Sequence, residues 1–307
     1  MFVYSFLIPK IMKKTLLFLL VVMTLGMFQS CKKPEDKFDP ASIGAISGEF
    51  SVSASKKVVF ARGNLQYQAS TGLWRFATTQ YESIGEGNTH TSSSYSGWID
   101  LFGFATSGWD NGNTYYHPYD ISSSGTISSG YGYGPTDGSG NYLLNLVGKY
   151  ANADWGVFNS ISNGGEQMGL WRCLTNEEVE YLLTLRPRAT SLRYLASVSG
   201  KKGLVILPDA WVAPEDLEPS TTSYTAEQWS EMEKAGAVFL PAAGMRIENQ
   251  VVTLNLMANY WTSTVIDEEV PDAAYTLSFN HNNGAIYDMG TQNRSHGCSV
   301  RLVHDLK

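Results

Sequence analysis

The stretch "GLWRCLTNEEVEYLL" (residues 169–183) decides how the chain is read, because here the hydrophobic period changes from that of a strand to that of a helix. Thr175 stands as an N-cap with Glu178 three residues on, the capping-box spacing, and Val179, Leu182 and Leu183 follow at helical intervals. A second helix is expected over "TAEQWSEMEKAG" (residues 225–236), capped by Thr225 with Gln228 and stopped by Gly236. Outward from these two helices the pattern is short and strand-like. "FSVSASKKVVFARGNLQYQ" (residues 50–68) alternates apolar and polar residues around a turn at 53–57, and "LWRFATTQY" (73–81) continues it. After Gly236 come "AVFLPA", "GMRI", "QVVTLNL", "NYWTSTV", "AYTLSF", "GAIYDMG" and "CSVRLV", each the length of a short strand. Two helices among short strands predict an α+β domain. No internal repeat is present.

Between about Gly85 and Lys149 periodicity disappears, yet the segment carries Trp98, Phe102, Phe104, Trp109, Tyr115, Tyr116, Tyr119, Tyr131 and Tyr133. Disordered segments are poor in aromatics, so this density predicts long ordered loops. The front end differs in kind. Lys10, Lys13 and Lys14 precede the apolar run "TLLFLLVVMTLGMF" and the sequence "QSC" ending at Cys31, the order of a secretory signal peptide over residues 1–30. The apolar run is about fourteen residues, short of the roughly twenty that cross a bilayer. A complete signal starts at Met12, which marks the eleven residues before it as an upstream start-site artefact. "FQSC" is a loose lipobox without its usual Leu, so Cys31 is expected to carry a lipid that anchors an exported protein to the outer membrane, with display on the cell surface. Ordinary signal cleavage, leaving Cys31 a spare thiol, is the alternative. "KKPEDKFDPAS" then reads as part of a flexible tether over residues 31–48, and residues 49–307 as one domain.

The formal charge is −7 for the whole chain, and removing residues 1–30 takes away three lysines and no acid. An acidic domain without a Lys/Arg cluster repels phosphate backbones, which excludes nucleic acid as a partner. Motifs for chemistry are missing: there is no Gly-x-Ser-x-Gly, no His-Glu-x-x-His and no phosphate loop. The sequence implies no cofactor, and His90, His117, His281, His296 and His304 are scattered. Asp110, Asn111, Asn113 and Asp120 cluster hard oxygen ligands of the kind Ca²⁺ takes, but the spacing is equally that of turn chemistry, and no metal is assigned.

Seven blocks in order, "GNLQYQASTGLWRFA", "YSGWIDLFGFATSGW", "ADWGVFNSISNGG", "GLWRCLTNEEVEYLL", "FLPAAGMR", "YWTST" and "GCSVRLV", resemble the Fibrobacter succinogenes major paralogous domain family of exported Bacteroidetes and Fibrobacter proteins. That family belongs with the formylglycine-generating-enzyme-like branch of the C-type lectin-like fold. The resemblance implies that the chain ends meet in a small sheet flanked by two helices, and that long loops support a ligand surface. It also implies a disulfide between Cys173, ahead of the first helix, and Cys298, in the last strand. Such a bond would close a loop of about 125 residues and stabilise by on the order of 4–5 kcal/mol. Two independent buried thiols are the alternative. A copper oxidase of the formylglycine type would need a cysteine pair close together near the chain end, which this sequence does not have.

What remains is non-catalytic recognition. Tyr and Trp present rigid apolar faces with polar edges at low entropic cost. "FNHNNGAIYDMGTQNRSHG" (residues 279–297) is similar to the variable end of C-type-lectin-fold proteins diversified by retroelements; an Asn/Gly-rich hairpin without a ligand is the alternative. The expected contact surface is Tyr260, Trp261, Ser263, His281, Asn282, Asn283, Tyr287, Asp288, Gln292, Asn293 and His296, with Trp98 and Trp109 contributed by a second loop. The expected ligand is an extracellular glycan or protein. A structural or tip subunit of a surface appendage is the second reading.

Overall fold

A computed structural model describes residues 38–90, 92–110, 116–120, 145–217, 221–266 and 273–307. The signal segment and Cys31 lie outside them, as do Asn111 and Asn113. Asp39–Lys307 is a compact unit. It begins ten residues earlier than the sequence suggests. Asp39 caps a 3-10 turn over Pro40–Ile43, Ala45 bridges to Ala61, and Ile46 is buried, so residues 39–48 are part of the domain and not of a tether.

The architecture is mixed α+β, with few helices and several short sheets. β1 (Phe50–Ser51), β2 (Lys57–Phe60) and the last strand, β14 (Val303–Asp305), form a three-stranded antiparallel sheet that joins the two ends of the domain. β3 (Leu65–Gln68) and β4 (Leu73–Phe76) make a hairpin. A four-stranded sheet runs β7-β5-β6-β8, from β5 (Arg193–Val198), β6 (Lys201–Ile206), β7 (Ser223–Tyr224) and β8 (Val238–Pro241). β9 (Met245–Ile247) and β10 (Gln250–Val252) form a small hairpin. The C-terminal sheet consists of β11 (Met257–Val265), β12 (Ala273–Asn280) and β13 (Ala285–Asn293), all antiparallel.

Among the described residues three helices have α geometry: α1 (Trp155–Phe158), α2 (Asn176–Glu180) and α3 (Ala226–Lys234). Both expected capping boxes form, Thr175 with Glu178 and Thr225 with Gln228. α2 continues as a π turn over Tyr181–Leu185, which buries Leu182 and Leu183, and Arg186 leaves the helix extended because Pro187 follows. Behind α3, Gly236 holds φ +92° and lies so close to Gly48 that a Cβ there would stand 2.7 Å from its Cα. The close approach requires glycine.

Residues 298–303 are not the continuous strand the sequence suggests. Cys298 bridges to Phe102, Ser299 bridges to Tyr260, and regular pairing starts only at Val303. The segment threads between partners instead of extending one sheet. The β5–β6 hairpin was not anticipated. It turns at Ser199 and Gly200, both at positive φ, as a two-residue hairpin of the primed type requires.

Cys173 and Cys298 belong to the same apolar cluster, with Trp155, Trp171 and Trp261. They are free, buried thiols. The expected disulfide is absent, and burial pushes both thiols up.

Candidate functional site

β11 runs between two cores, and this fixes the fate of the residues on it. Tyr260 points into one with Phe279 and Leu240, and Trp261 into the other with Phe102 and Phe104. Both are 3% exposed. The Tyr260 hydroxyl donates to the Pro241 carbonyl at 2.9 Å and accepts from Asn64 Nδ2 at 3.2 Å, while Trp261 Nε1 donates to the Phe102 carbonyl at 2.7 Å. Ser263 is buried as well, its amide donating to the Leu174 carbonyl at 2.8 Å. Tyr260, Trp261 and Ser263 are therefore core residues and leave the expected contact surface. Their polar atoms are satisfied by backbone, which is how buried Tyr and Trp are tolerated.

The remaining expected residues lie along the β12–β13 hairpin. Asn282 and Asn283 are exposed at its tip, where Asn283 Oδ1 accepts from the Ala285 amide at 3.1 Å. His281 is tied to the neighbouring sheet: Nε2 donates to the Gly203 carbonyl at 3.0 Å, and burial lowers its pKa. Gln292, Asn293 and His296 stand at the other end of β13, on the order of 30 Å away for nine strand positions. Asn293 is spent on a turn, accepting from the amide and hydroxyl of Ser295. Asp288 accepts from the Thr184 hydroxyl beside the π turn.

Register separates the two faces of this sheet. Asn259, Ser278 and Tyr287 are paired across one row, and Thr276 with Gly290 and Ala274 with Gln292 continue the same face. On that face a chain of hydrogen bonds runs from interior to surface. The Thr276 and Ser278 hydroxyls are 2.8 Å apart, and Ser278 Oγ donates to Asn259 Oδ1 at 2.6 Å. Gln292 Nε2 donates to the same Oδ1 at 3.2 Å, so its side chain spans three strands. His296 Nδ1 lies 3.1 Å from Gln292 Oε1. Because a carbonyl oxygen only accepts, this network assigns the proton to Nδ1 and leaves Nε2 as an acceptor. Burial lowers the His296 pKa, which favours that neutral ring.

Gly290 makes the layer possible, since a Cβ there would stand 2.3 Å from Ser278 Oγ. Met245 closes it on the β9 side, its sulfur 3.8 Å from Asn259 Nδ2. Tyr287 stands beside it, 46% exposed. Asn259, Ser278, Thr276, Gly290 and Met245 were not singled out from sequence. The signal was the alternation Thr276, Ser278, Asn280 in β12, polar at every second place.

The second loop does not join this face. Trp98 stacks on Arg75, whose Cζ lies 3.8 Å from the ring centroid, and Arg75 Nε donates to Gln66 Oε1 at 2.8 Å on the β3–β4 hairpin. Trp109 is half-buried against the core. Asp120 accepts from the His117 amide at 2.9 Å, an ordinary turn. Among the described residues no group of three or more His, Cys, Asp or Glu is placed to hold a metal ion.

Two enclosed carboxylates lie elsewhere. Asp100 accepts from the Ile84 amide and Asn88 Nδ2, and Asp154 from the amides of Gly156 and Cys173. Burial pushes each up to about 6. Each holds loop backbone together. The Glu82 carboxylate adds a smaller like-charge push to Asp100.

Comparison with family models, with curated proteins and with solved structures returns no match.

Proposed function

We propose that this protein is a non-catalytic recognition domain that binds an extracellular glycan or protein through the face of the β11-β12-β13 sheet carrying Tyr287, Gln292 and His296. The observation that carries the reading is the Gln292 amide. It is held from both ends by Asn259 and His296, with its remaining N–H and lone pair uncommitted in those bonds. Such pre-organisation lowers the ordering cost of binding.

The sequence resemblance to the Fibrobacter succinogenes major paralogous family, and through it to the C-type lectin-like fold, supports the same reading. The pairing of β2 with β14 and the capped helix α2 agree with what that resemblance implies. In this reading residues 1–30 direct export, and a lipid on Cys31 holds the domain at the outer-membrane surface. Metabolic labelling with a radiolabelled fatty acid tests the anchor: label on the wild-type chain and none on Cys31→Ser is expected.

The binding reading is tested with the mature chain carrying Cys31→Ser on arrays of glycans and extracellular-matrix proteins. Specific capture that Tyr287→Ala weakens is expected. Capture that Tyr287→Ala and His296→Gln both leave unchanged would contradict it.

A second reading, a subunit of a surface assembly, is favoured by one feature. β13 is the outer strand of its sheet, and Tyr287 and Met289 on it are exposed. Concentration-dependent self-association lost on Met289→Lys would support that reading over the first.

A further inference from the structure

Asn-Gly occurs three times in the chain, at residues 111–112, 163–164 and 283–284. Glycine after asparagine leaves the following backbone nitrogen unshielded by a Cβ, so that it can attack the side-chain amide carbon. The first pair lies outside the described residues, and the other two are held in opposite ways. Asn163 is exposed, but both ends of its side-chain amide are fastened: Oδ1 accepts from the Phe76 amide at 2.7 Å and Nδ2 donates to the Phe76 carbonyl at 2.9 Å. The Gly164 nitrogen donates to the Ile161 carbonyl at 2.9 Å, and Gly164 is buried beside the Phe76 ring.

At the tip of the β12–β13 hairpin, Asn283 and Gly284 are both exposed, and nothing stands within 4 Å of where a Cβ on Gly284 would sit. No described carbonyl accepts from the Gly284 nitrogen. Asn283 Oδ1 accepts from the Ala285 amide at 3.1 Å, a bond that closes around the Gly284 peptide and keeps Cγ and the Gly284 nitrogen in one small ring. Nδ2 makes a long bond, 3.4 Å, to the Tyr287 hydroxyl.

We propose that Asn283–Gly284 is a self-modifying site, at which the Gly284 nitrogen displaces the Asn283 side-chain amide as ammonia, independently of what the adjacent face binds. Hydroxide takes the Gly284 N–H proton, and the nitrogen pair forms a bond to Asn283 Cγ while the carbonyl pair moves onto Oδ1. The Ala285 N–H already points at that oxygen and stabilises the charge that develops there. When the pair returns, the Cγ–Nδ2 bond breaks, and Nδ2 takes a proton from water and leaves. Water then adds to either carbonyl of the succinimide and opens it to an aspartyl or an isoaspartyl residue at 283. Water is the only co-reactant, and nothing is oxidised or reduced. The hairpin tip gains a carboxylate beside Tyr287.

Peptide mapping by mass spectrometry compares residues 283 and 163 on one chain, with the purified protein held in mildly alkaline buffer either folded or in denaturant. In the folded protein conversion at 283 is expected to run at least about tenfold faster than at 163, which must first break three hydrogen bonds, and denaturant is expected to bring the two within about twofold. Isoaspartate is expected in the product at 283. Equal rates in the folded protein, or a faster Asn163, overturn the proposal. A product at 283 that is aspartyl alone overturns it as well, because direct hydrolysis of the side chain cannot transfer the backbone onto Cγ.

Discussion

At the scale of single residues, Arg301 shows how much of this domain depends on polar groups placed inside. It is 5% exposed, and its donors reach Asn64 Oδ1 and the carbonyls of Ala61, Phe239 and Gln80. No carboxylate is among these acceptors, and burial lowers its pKa to about 10. A guanidinium fork satisfies several carbonyls that a single ammonium cannot reach. Arg301→Met is expected to cost about 3 kcal/mol, because it strands buried acceptors at roughly 1–3 kcal/mol each. An unfolding free energy from urea titration within about 1 kcal/mol of wild type would show that those carbonyls find other partners. Tyr260 and Trp261 teach the complementary lesson. In sequence, an aromatic pair on a strand reads the same whether it faces solvent or a core. β11 is covered on both sides, so the polar–apolar alternation that would have revealed its burial is missing.

At the scale of elements, capping was the most legible feature, since Thr175/Glu178 and Thr225/Gln228 declare themselves by spacing alone. What spacing does not reveal is that Glu178 has a second task. It receives two bonds from Arg172 and one from Lys56, and Arg172 also grips Asp305 with two bonds, so α2, the β1–β2 turn and β14 are clamped together. Thr225→Ala removes only a cap and is expected to cost about 1 kcal/mol. Glu178→Gln removes a cap partner and unpairs Arg172, and is expected to cost about 2 kcal/mol or more. Equal losses in chemical denaturation would mean that the clamp adds nothing to the cap. The β5–β6 hairpin went unread because Ser199-Gly200 is a weak form of the Asn-Gly turn signal. The bridged path of residues 298–303 depends on partners far away in sequence, which no local pattern encodes.

At the scale of the whole molecule, pH separates two populations of acids. Asp100 and Asp154, raised to about 6, contribute stability that is complete below their unfolded value near 3.8 and is lost as pH rises through 6. Each shift corresponds to about 3 kcal/mol. His281 and His296, lowered by burial, act in the opposite sense: their contribution is present above 6.5 and is lost as pH falls. Both rings keep solvent contact whereas both carboxyls are enclosed, so the carboxyl effect is the larger. Glu178, Asp209 and Asp305 are lowered, the clamp prevailing over burial at Glu178 and Asp305 and the Ser51 donors with Arg186 at Asp209, and their contribution vanishes only as pH drops below the ordinary carboxylate range. The melting temperature is therefore expected to rise from pH 7.5 to about pH 5 and to fall below about pH 4. A monotonic fall from pH 7.5 would mean that the N–H donors on Asp100 and Asp154 outweigh their desolvation. Thiol titration of the Cys31→Ser chain is expected to find no reactive cysteine in the native state and two after unfolding without reductant. A Cys173–Cys298 peptide would contradict the unbonded pair. The α+β class and both helices were legible in the sequence; the site was only half so, because Gln292, His296 and Tyr287 were visible as exposed polar residues while the floor beneath them is defined by cross-strand register.

The measurement that tests the central claim most directly is a comparison of two surfaces of one protein. Binding of immobilised glycans and matrix proteins by the wild-type chain, by Tyr287→Ala on the C-terminal sheet and by Trp98→Ala in the loop stacked on Arg75 of the β3–β4 hairpin would be followed by surface plasmon resonance. Loss with Tyr287→Ala and retention with Trp98→Ala is the predicted result. Retention with Tyr287→Ala and loss with Trp98→Ala would move the binding surface to the stacked Arg75–Trp98 pair and contradict the account.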